Sequence, residues 1–444
     1  MMLPIIYDDS FSPGKLFKRR LHNVSGVHGG KNIQTLPKQP ELNIGTIGHV
    51  DHGKTTLVQA LTGEWASKHS EELKRGITIK LGYADFAIYK CPKCSEPECY
   101  SNTPECSACD GNAEFQRAIS FVDAPGHEIL MATMLSGAAV MDGAILVIAA
   151  NEKCPQPQTR EHLAAIDTLG LKNIIIVQNK IDLVKREDAI RNYNDIMKFV
   201  EGTVAENAPV VPVSAQHKLN IDLLLMEIQN KLPTPKRDPT KPARMHIIRS
   251  FDVNNPGTGY EDLEGGVLGG SIYQGSFKVG DEVEIRPGLP IKVKDRLKMR
   301  ELTTEITSLH IGDMAVEEAM PGGLVGVGTL LDPSVSKSDG LVGSLLGKPG
   351  TLPAVREEIS LNVKLFDSVI GSREQEAVAK IAKGEKLLFN IGTAKSMVDI
   401  TSIKKDHVEA KLSIPICGEE TDRVAISRKI GGRWRLIGAG VLSN

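Results

Sequence analysis

From Leu42 onward the chain alternates short apolar runs with longer stretches of helical spacing. The runs fall at 42–47, 119–123, 143–149, 174–179 and 210–213, and between them 157–169, 187–200 and 221–232 place apolar residues three and four positions apart. Parallel strands need a crossover, and a helix supplies it, so the alternation predicts an α/β domain on a doubly wound, mostly parallel sheet. Ligands of such sheets gather beyond the carboxyl ends of the strands. The Pro-rich stretch Pro233-Thr-Pro235-Lys-Arg-Asp-Pro239 then breaks the pattern and reads as a linker. Beyond it, β-branched runs at 245–253, 266–273, 282–285, 303–309 and 322–327 are split by Gly, Pro and Asp-Pro turns. A second break at 345–353 precedes further runs at 359–365, 386–391, 408–414 and 424–426. Two successive all-β barrels are the expectation. The predicted organisation is a flexible N-terminal tail at 1–38, an α/β domain at 39–235, and barrels at 240–348 and 353–444.

A chain of 444 residues is too long for one compact core, which agrees with this division. A net charge of −2 excludes a uniformly basic nucleic-acid binder. Local basic clusters remain: Lys15, Lys18, Arg19 and Arg20 in the tail, and Arg428, Lys429, Arg433 and Arg435 around Trp434 near the C-terminus. Each can meet RNA or stand solvated. The longest apolar run, 138–150, is too short for a membrane span and contains Asp142, and the N-terminus has no apolar leader. A cytoplasmic protein that does not enter membranes is expected.

The chemistry begins in Gly48-His-Val-Asp51-His52-Gly53-Lys54-Thr55, directly after the first run. A glycine, four variable residues and Gly-Lys-Thr form a phosphate-binding loop, whose backbone N–H groups surround the anion where glycine lets the chain turn. Lys54 adds a point charge, Thr55 offers a hydroxyl to Mg²⁺ with Asp51 as a further magnesium candidate, and the helix that follows, with Thr56 in its first turn, favours the anion. Asp123-Ala-Pro-Gly126-His127 follows the second run. Asp123 is placed to hold the Mg²⁺ shell, Gly126 to turn its amide toward a γ-phosphate, and His127 to orient the attacking water or to cap the next helix. Gly76 and Thr78, in Arg75-Gly-Ile-Thr78, lie in a polar stretch that can order around the triphosphate, with Thr78 as a second hydroxyl ligand for Mg²⁺. Asn179-Lys180-Ile-Asp182 ends the fourth run. A carboxylate at Asp182 can accept from the guanine N1–H and 2-amino groups, which adenine lacks; Asn179 can meet the N7 edge and Lys180 can lie over the ring. Ser214-Ala215-Gln216 follows the fifth run, with the Ala215 N–H directed at O6. The four motifs in this order select GTP and GDP.

Of seven cysteines, four stand as Cys91-x-x-Cys94 and Cys106-x-x-Cys109 inside an insertion at 90–112. Two such hooks close a tetrahedral Cys₄ zinc site, and the metal supplies the folding energy that so polar a loop lacks. Cys99, between the hooks, is the alternative fourth ligand.

The motifs GHVDHGKTTL, RGITI, DAPGH, NKID and SAQ resemble those of the translational GTPases, and two β modules after the nucleotide domain are similar to the elongation factor Tu layout. SKHSEELKRGITIKLGYAD, the cysteine insertion, HEILMATMLSGAAVMDGAILVIAANE, IRSFDVNNPGT, GGVLGGSIYQGSFKVGDEVEIRPG and GGRWRLIGAG resemble the initiation factor 2 gamma family, from about residue 40 onward. Asp51, Thr55 and the intact cysteine quartet look like its archaeal form. The resemblance implies a GTPase that carries initiator methionyl-tRNA to the small ribosomal subunit, assembled with alpha and beta subunits and releasing the tRNA on hydrolysis. Three other readings stand beside it: a selenocysteine-specific elongation factor, expected to carry a further C-terminal module; a GTPase subunit of sulfate activation, expected to lack the cysteine insertion; and a zinc-dependent scaffold without nucleotide dependence.

Overall fold

The computed structural model describes residues 36–63, 81–125, 131–255, 257–293, 296–370 and 376–443. The first module is a mixed sheet in the order β3-β2-β4-β1-β5-β6-β7. Its strands are β1 (Leu42–Gly48), β2 (Gly82–Lys90), β3 (Tyr100–Ser101), β4 (Glu114–Asp123), β5 (Gly143–Ala149), β6 (Ile174–Asn179) and β7 (Val210–Pro212). Strands β4, β1, β5, β6 and β7 run parallel, and β2 and β3 extend the sheet antiparallel. Every residue of β1 and β5 is buried, as required of strands covered on both faces. The covering helices are α1 (Lys54–Thr62), α2 (Met131–Ala138), α3 (Pro157–Thr168), α4 (Arg186–Val200) and α5 (Ile221–Lys231). One apolar layer joins α1 and α5 to Ile44, Phe121 and Val177; the other joins α2 and α3 to Ile47, Val122 and Leu146.

Strand β2 was not among the predicted runs. Its alternation is partial, because its edge is shared with the short β3, and the polar insertion begins at its last residue.

The second module contains β8 (Arg244–Phe251), β9 (Val267–Gln274), β10 (Phe277–Lys278), β11 (Glu282–Val293), β12 (Arg296–Ile311), β13 (Met314–Val316), β14 (Glu318–Ala319), β15 (Val325–Thr329) and β16 (Leu345–Gly347). The order β11-β16-β8-β9-β15-β12 closes on itself through β11 and β12, giving a six-stranded barrel; β13 continues from β12, and β10 pairs with β14 alongside. The third module is a closed barrel in the order β17-β20-β19-β18-β21-β22, from β17 (Val355–Leu365), β18 (Lys386–Ile391), β19 (Ala394–Lys404), β20 (His407–Cys417), β21 (Arg423–Ile430) and β22 (Arg433–Ser443). Closure leaves no unpaired sheet edge in either ring.

Polar contacts tie the modules together. Arg237, in the stretch read as a linker, donates to both carboxylate oxygens of Asp142 at 2.7 Å and to the Glu41 carbonyl at 2.9 Å. Asp142 also accepts from the Asn43 N–H, and the Asn43 carboxamide reaches across to the Ser271 hydroxyl of β9 at 2.8 Å. The third module meets α2 and α3: Asn390 donates to the Ala132 carbonyl, Arg423 donates to the Thr168 carbonyl, and Arg435 pairs with Glu161. Arg435 and Arg428, expected as part of a basic patch, thus serve internal contacts, Arg428 pairing with Glu385. Trp434 sits opposite Lys429 in the β21–β22 hairpin.

The Glu161 side chain is only 4 % exposed, so removing its partner strands a buried charge. Arg435→Ala is expected to cost about 3 kcal/mol of stability. The double variant Glu161→Leu/Arg435→Met recovers most of that loss, as read from urea unfolding midpoints.

Candidate nucleotide site and cysteine centre

The loop between β1 and α1 makes the turn that glycine permits. Gly48 has φ 135° and Gly53 has φ 88°. A Cβ at Gly48 would lie 2.3 Å from the Val147 carbonyl oxygen, so the backbone of β5 excludes a side chain there. Not every amide of this loop turns inward as the motif predicts. The Gly48 N–H donates to His162 Nδ1 at 2.9 Å, and the Val50 N–H donates to Gln158 Oε1 at 3.1 Å. Both acceptors project from α3, whose sequence carries no phosphate motif, and sequence reading missed them. Their signal is a polar pair spaced four residues apart, in line with the apolar Ala165 and Ile166 that the helix buries.

Lys54 is buried and spans the loop, donating to the carbonyls of Gly48 at 3.1 Å and His49 at 2.8 Å. Burial lowers its pKa to about 8, with Asp123 and Asp51 opposing. Thr55 Oγ1 donates to Asp123 Oδ2 at 2.8 Å, and Thr46 Oγ1 donates to Asp123 Oδ1 at 2.6 Å. Asp123 is completely buried at the carboxyl end of β4, so two hydroxyls fix both its oxygens. Thr56 is half-buried in the first turn of α1. Asp51 is exposed in a left-handed conformation, φ 62°.

The His52 side chain turns into the fold. Its imidazole is 1 % exposed, with Nδ1 3.0 Å from the Val147 carbonyl oxygen and Nε2 3.4 Å from Glu152 Oε2. What His52 offers the site is backbone: its carbonyl accepts from Asn179 Nδ2 at 2.9 Å. Asn179 Oδ1 in turn accepts the Ala215 N–H at 3.0 Å. That amide was expected on the purine O6; here it locks the loop after β7 to the end of β6. Lys180 is left-handed, φ 62°, and opens the 3₁₀ turn Ile181–Leu183 that carries Asp182. Ser214 is buried, and Gln216 is exposed. These elements converge at the carboxyl ends of β1, β4, β6 and β7, while Gly76, Thr78, Gly126 and His127 lie outside the described residues.

At the opposite edge of the sheet the four cysteines Cys91, Cys94, Cys106 and Cys109 bring their sulfurs within 4.8 Å of one another. Cys91 and Cys109 are 3.6 Å apart, Cys94 and Cys106 3.7 Å. Zinc–sulfur bonds of about 2.3 Å in a tetrahedron separate sulfurs by about 3.8 Å, so the donor set has the size and softness of a Zn²⁺ site. Each hook is a backbone-bonded turn: the Cys91 N–H donates to the Cys99 carbonyl and the Cys106 N–H to the Gly111 carbonyl, both at 2.8 Å. Cys99 itself packs in the apolar layer with Tyr100 and stays outside the cluster. The Lys93 backbone N–H holds the Cys91 thiol down to about 7.

Comparison with known proteins follows the same division. Residues 39–234 match the family described as elongation factor Tu GTP binding domain, 265–339 elongation factor Tu domain 2, and 357–442 initiation factor eIF2 gamma, C terminal. Translation initiation factor 2 subunit gamma of Pyrococcus abyssi is 58 % identical over 405 residues, covering 91 % of this chain and 98 % of that protein. The protein of that name from Methanocaldococcus jannaschii gives the same figures. The chain belongs to the translation initiation factor 2 gamma family. That family consists of translational GTPases, so the chain binds GTP and GDP and hydrolyses GTP.

Two solved structures share the gamma-family fold. A bacterial selenocysteine-specific elongation factor, EF-Sec, superposes with a TM-score of 0.70 at 24 % identity, covering 91 % of this chain and 58 % of its own. Elongation factor SelB from Methanococcus maripaludis, in complex with the GTP analogue GPPNHP, gives 0.67 at 22 %, covering 92 % and 80 %. Among the described residues of this chain no helix is long and apolar enough to cross a membrane.

Burial holds His162 at a pKa of about 3 and His52 at about 4. An unfolded chain takes up these protons below about pH 6.5 whereas the fold does not, so stability falls as pH drops from about 6.5 toward 4. The slope expected from the pair approaches about 2.7 kcal/mol per pH unit. Melting curves from pH 7 to 5 test this, and His162→Asn, which keeps an acceptor but cannot titrate, shows the shallower decline.

Proposed function

We propose that this chain carries initiator methionyl-tRNA to the small ribosomal subunit in its GTP-bound form, assembled with alpha and beta subunits, and lets the tRNA go after hydrolysis. The observation that carries the reading is identity of 58 % along nearly the full length of initiation factor 2 gamma subunits. In this reading Asp51, the His52 backbone, Gly53, Lys54, Thr55 and Thr56 hold the phosphates. Asn179, Lys180, Asp182, Ser214, Ala215 and Gln216 hold the base, and the second amide hydrogen of Asn179 serves the purine edge. The Thr55 hydroxyl and Asp123, hard oxygen donors held 2.8 Å apart, would hold Mg²⁺ with Thr78, and Asp51 is the further candidate. Bound there, the ion would neutralise charge developing on the β- and γ-phosphates. Gly76, Thr78, Asp123 and Gly126 sense the γ-phosphate, and His127 orients the attacking water. Cys91, Cys94, Cys106 and Cys109 hold a structural Zn²⁺; four thiolates complete a tetrahedron and leave no position for catalysis.

Filter binding of initiator and elongator tRNAs to the assembled trimer, with GTP and with GDP, tests the carrier role. Selective retention of the initiator with GTP is expected, and equal retention of both tRNAs in both nucleotide states rules the role out. Metal analysis of the purified chain is expected to give about one equivalent of zinc, lost together with the fold of the insertion in Cys94→Ser. Asp182→Asn is expected to shift preference from guanine to xanthine nucleotides, whose 2-oxo group accepts from an amide; unchanged guanine selectivity removes Asp182 from base recognition.

A further inference from the structure

Next to Asp182 stands a side chain that none of the nucleotide motifs includes. The loop after β7 closes on itself: the Ser214 N–H donates to the Leu219 carbonyl at 3.3 Å and the Leu219 N–H returns to Ser214 at 3.0 Å. Within it the His217 N–H meets Ser214 Oγ at 3.4 Å, and Asn220, left-handed at φ 58°, fastens the exit by donating to the Pro212 carbonyl at 2.8 Å. A loop so bonded holds its backbone to one path and sets where the His217 side chain leaves it. His217 Nε2 lies 3.7 Å from Asp182 Oδ2, with the imidazole 61 % exposed and the carboxylate 24 %. The 3₁₀ turn beneath Asp182 is fixed in turn by the Ile181 N–H on the Val213 carbonyl.

At 3.7 Å a neutral imidazole is too far for a good hydrogen bond and leaves the carboxylate to its ligand. An imidazolium at the same place forms an ion pair, drawing on the charge that guanine N1–H and the 2-amino group need. The neighbouring cationic side chains on the two loops include Lys180, two residues before Asp182, and Lys218, next to His217. We propose that His217 is a positioning residue for base recognition: neutral, it leaves Asp182 open to guanine, and protonated, it occupies Asp182 and weakens guanine-nucleotide binding. The proposal rests on the assignment of Asp182 to guanine made above. By linkage, guanine binding then expels the proton from His217.

The test is GDP affinity of the full chain at constant ionic strength between pH 7.5 and 5.5. Titration of the GDP phosphates contributes equally to every variant, so the comparison is between proteins. A charge-assisted hydrogen bond is roughly twice as strong as a neutral one, so the wild type is expected to lose on the order of five-fold more affinity than His217→Gln over this range. His217→Lys, charged throughout, is expected to bind about five-fold more weakly than His217→Gln at pH 7.5 as well. Calorimetry at pH 6 in buffers of different ionisation enthalpy should record proton release on GDP binding beyond that of His217→Gln. Equal pH slopes and equal proton release in wild type and His217→Gln overturn the proposal. Asp182→Asn keeps the two claims apart. Persistent guanine preference in that variant defeats the assignment of Asp182. Lost preference there, with a wild-type slope in His217→Gln, defeats the role of His217 alone.

Discussion

A phosphate loop has no regular secondary structure of its own, and its shape must be imposed from outside. Here α3 imposes it by accepting the Gly48 and Val50 amides on His162 and Gln158. Asn179 fixes the middle of the loop at the His52 carbonyl, and Asp123 fixes its end at Thr55. Each contact is made to a buried group, where a missing partner costs more than a formed bond returns. The phosphate loop therefore depends on a helix that itself carries none of the predicted nucleotide contacts. The residue next to His162, Glu161, pairs with Arg435 of the third module, so one helix serves both the loop and the docked barrel.

The two candidate metal sites divide by chemistry and by position. Hard oxygens of Thr55 and Asp123 gather at the carboxyl ends of the parallel strands, and soft sulfurs gather where β2 and β3 leave the sheet. A thiophilic ion has no sulfur to bind at the first site, and Mg²⁺ has no oxygen set at the second. The cysteine insertion also has a structural neighbour, since Asn102 donates to the Leu61 carbonyl at the end of α1.

Much of this was legible in the sequence, and the reason differs by element. Helices α3, α4 and α5 lie within a residue or so of their predicted spans, because each buries one face and opens on a residue suited to a first turn, Pro157 in α3 and acidic residues in α4 and α5. The parallel strands were equally clear as continuous apolar runs. Strand β19 was missed although it alternates buried and exposed residues almost perfectly, because its outward positions are Lys395, Met397 and Asp399 and its inward ones include Ser396. Spacing proposes a chemistry at Lys54, Asp182 and the cysteine hooks, and for the hooks the fold brings the four sulfurs together. His162, Gln158 and the inward-turned His52 were not found as what they are: supports that act through tertiary contact across more than a hundred residues, or through backbone. The decision between Cys99 and the paired hooks also needed the fold, which gathers the four hook sulfurs and leaves Cys99 outside them.

The linker carries one more lesson. Its prolines mark a connector, yet Arg237 fastens it to Asp142 with two hydrogen bonds and to the Glu41 carbonyl with a third. A tether so pinned transmits torque. Any swing of the second module against the nucleotide domain must either unseat that guanidinium or turn both partners as one body, and the seat lies at the foot of β1, the strand that ends in the phosphate loop. The connector is thus an axle with a key in it, and its stiffness is decided by one salt bridge more than by the backbone freedom of the residues around Pro235.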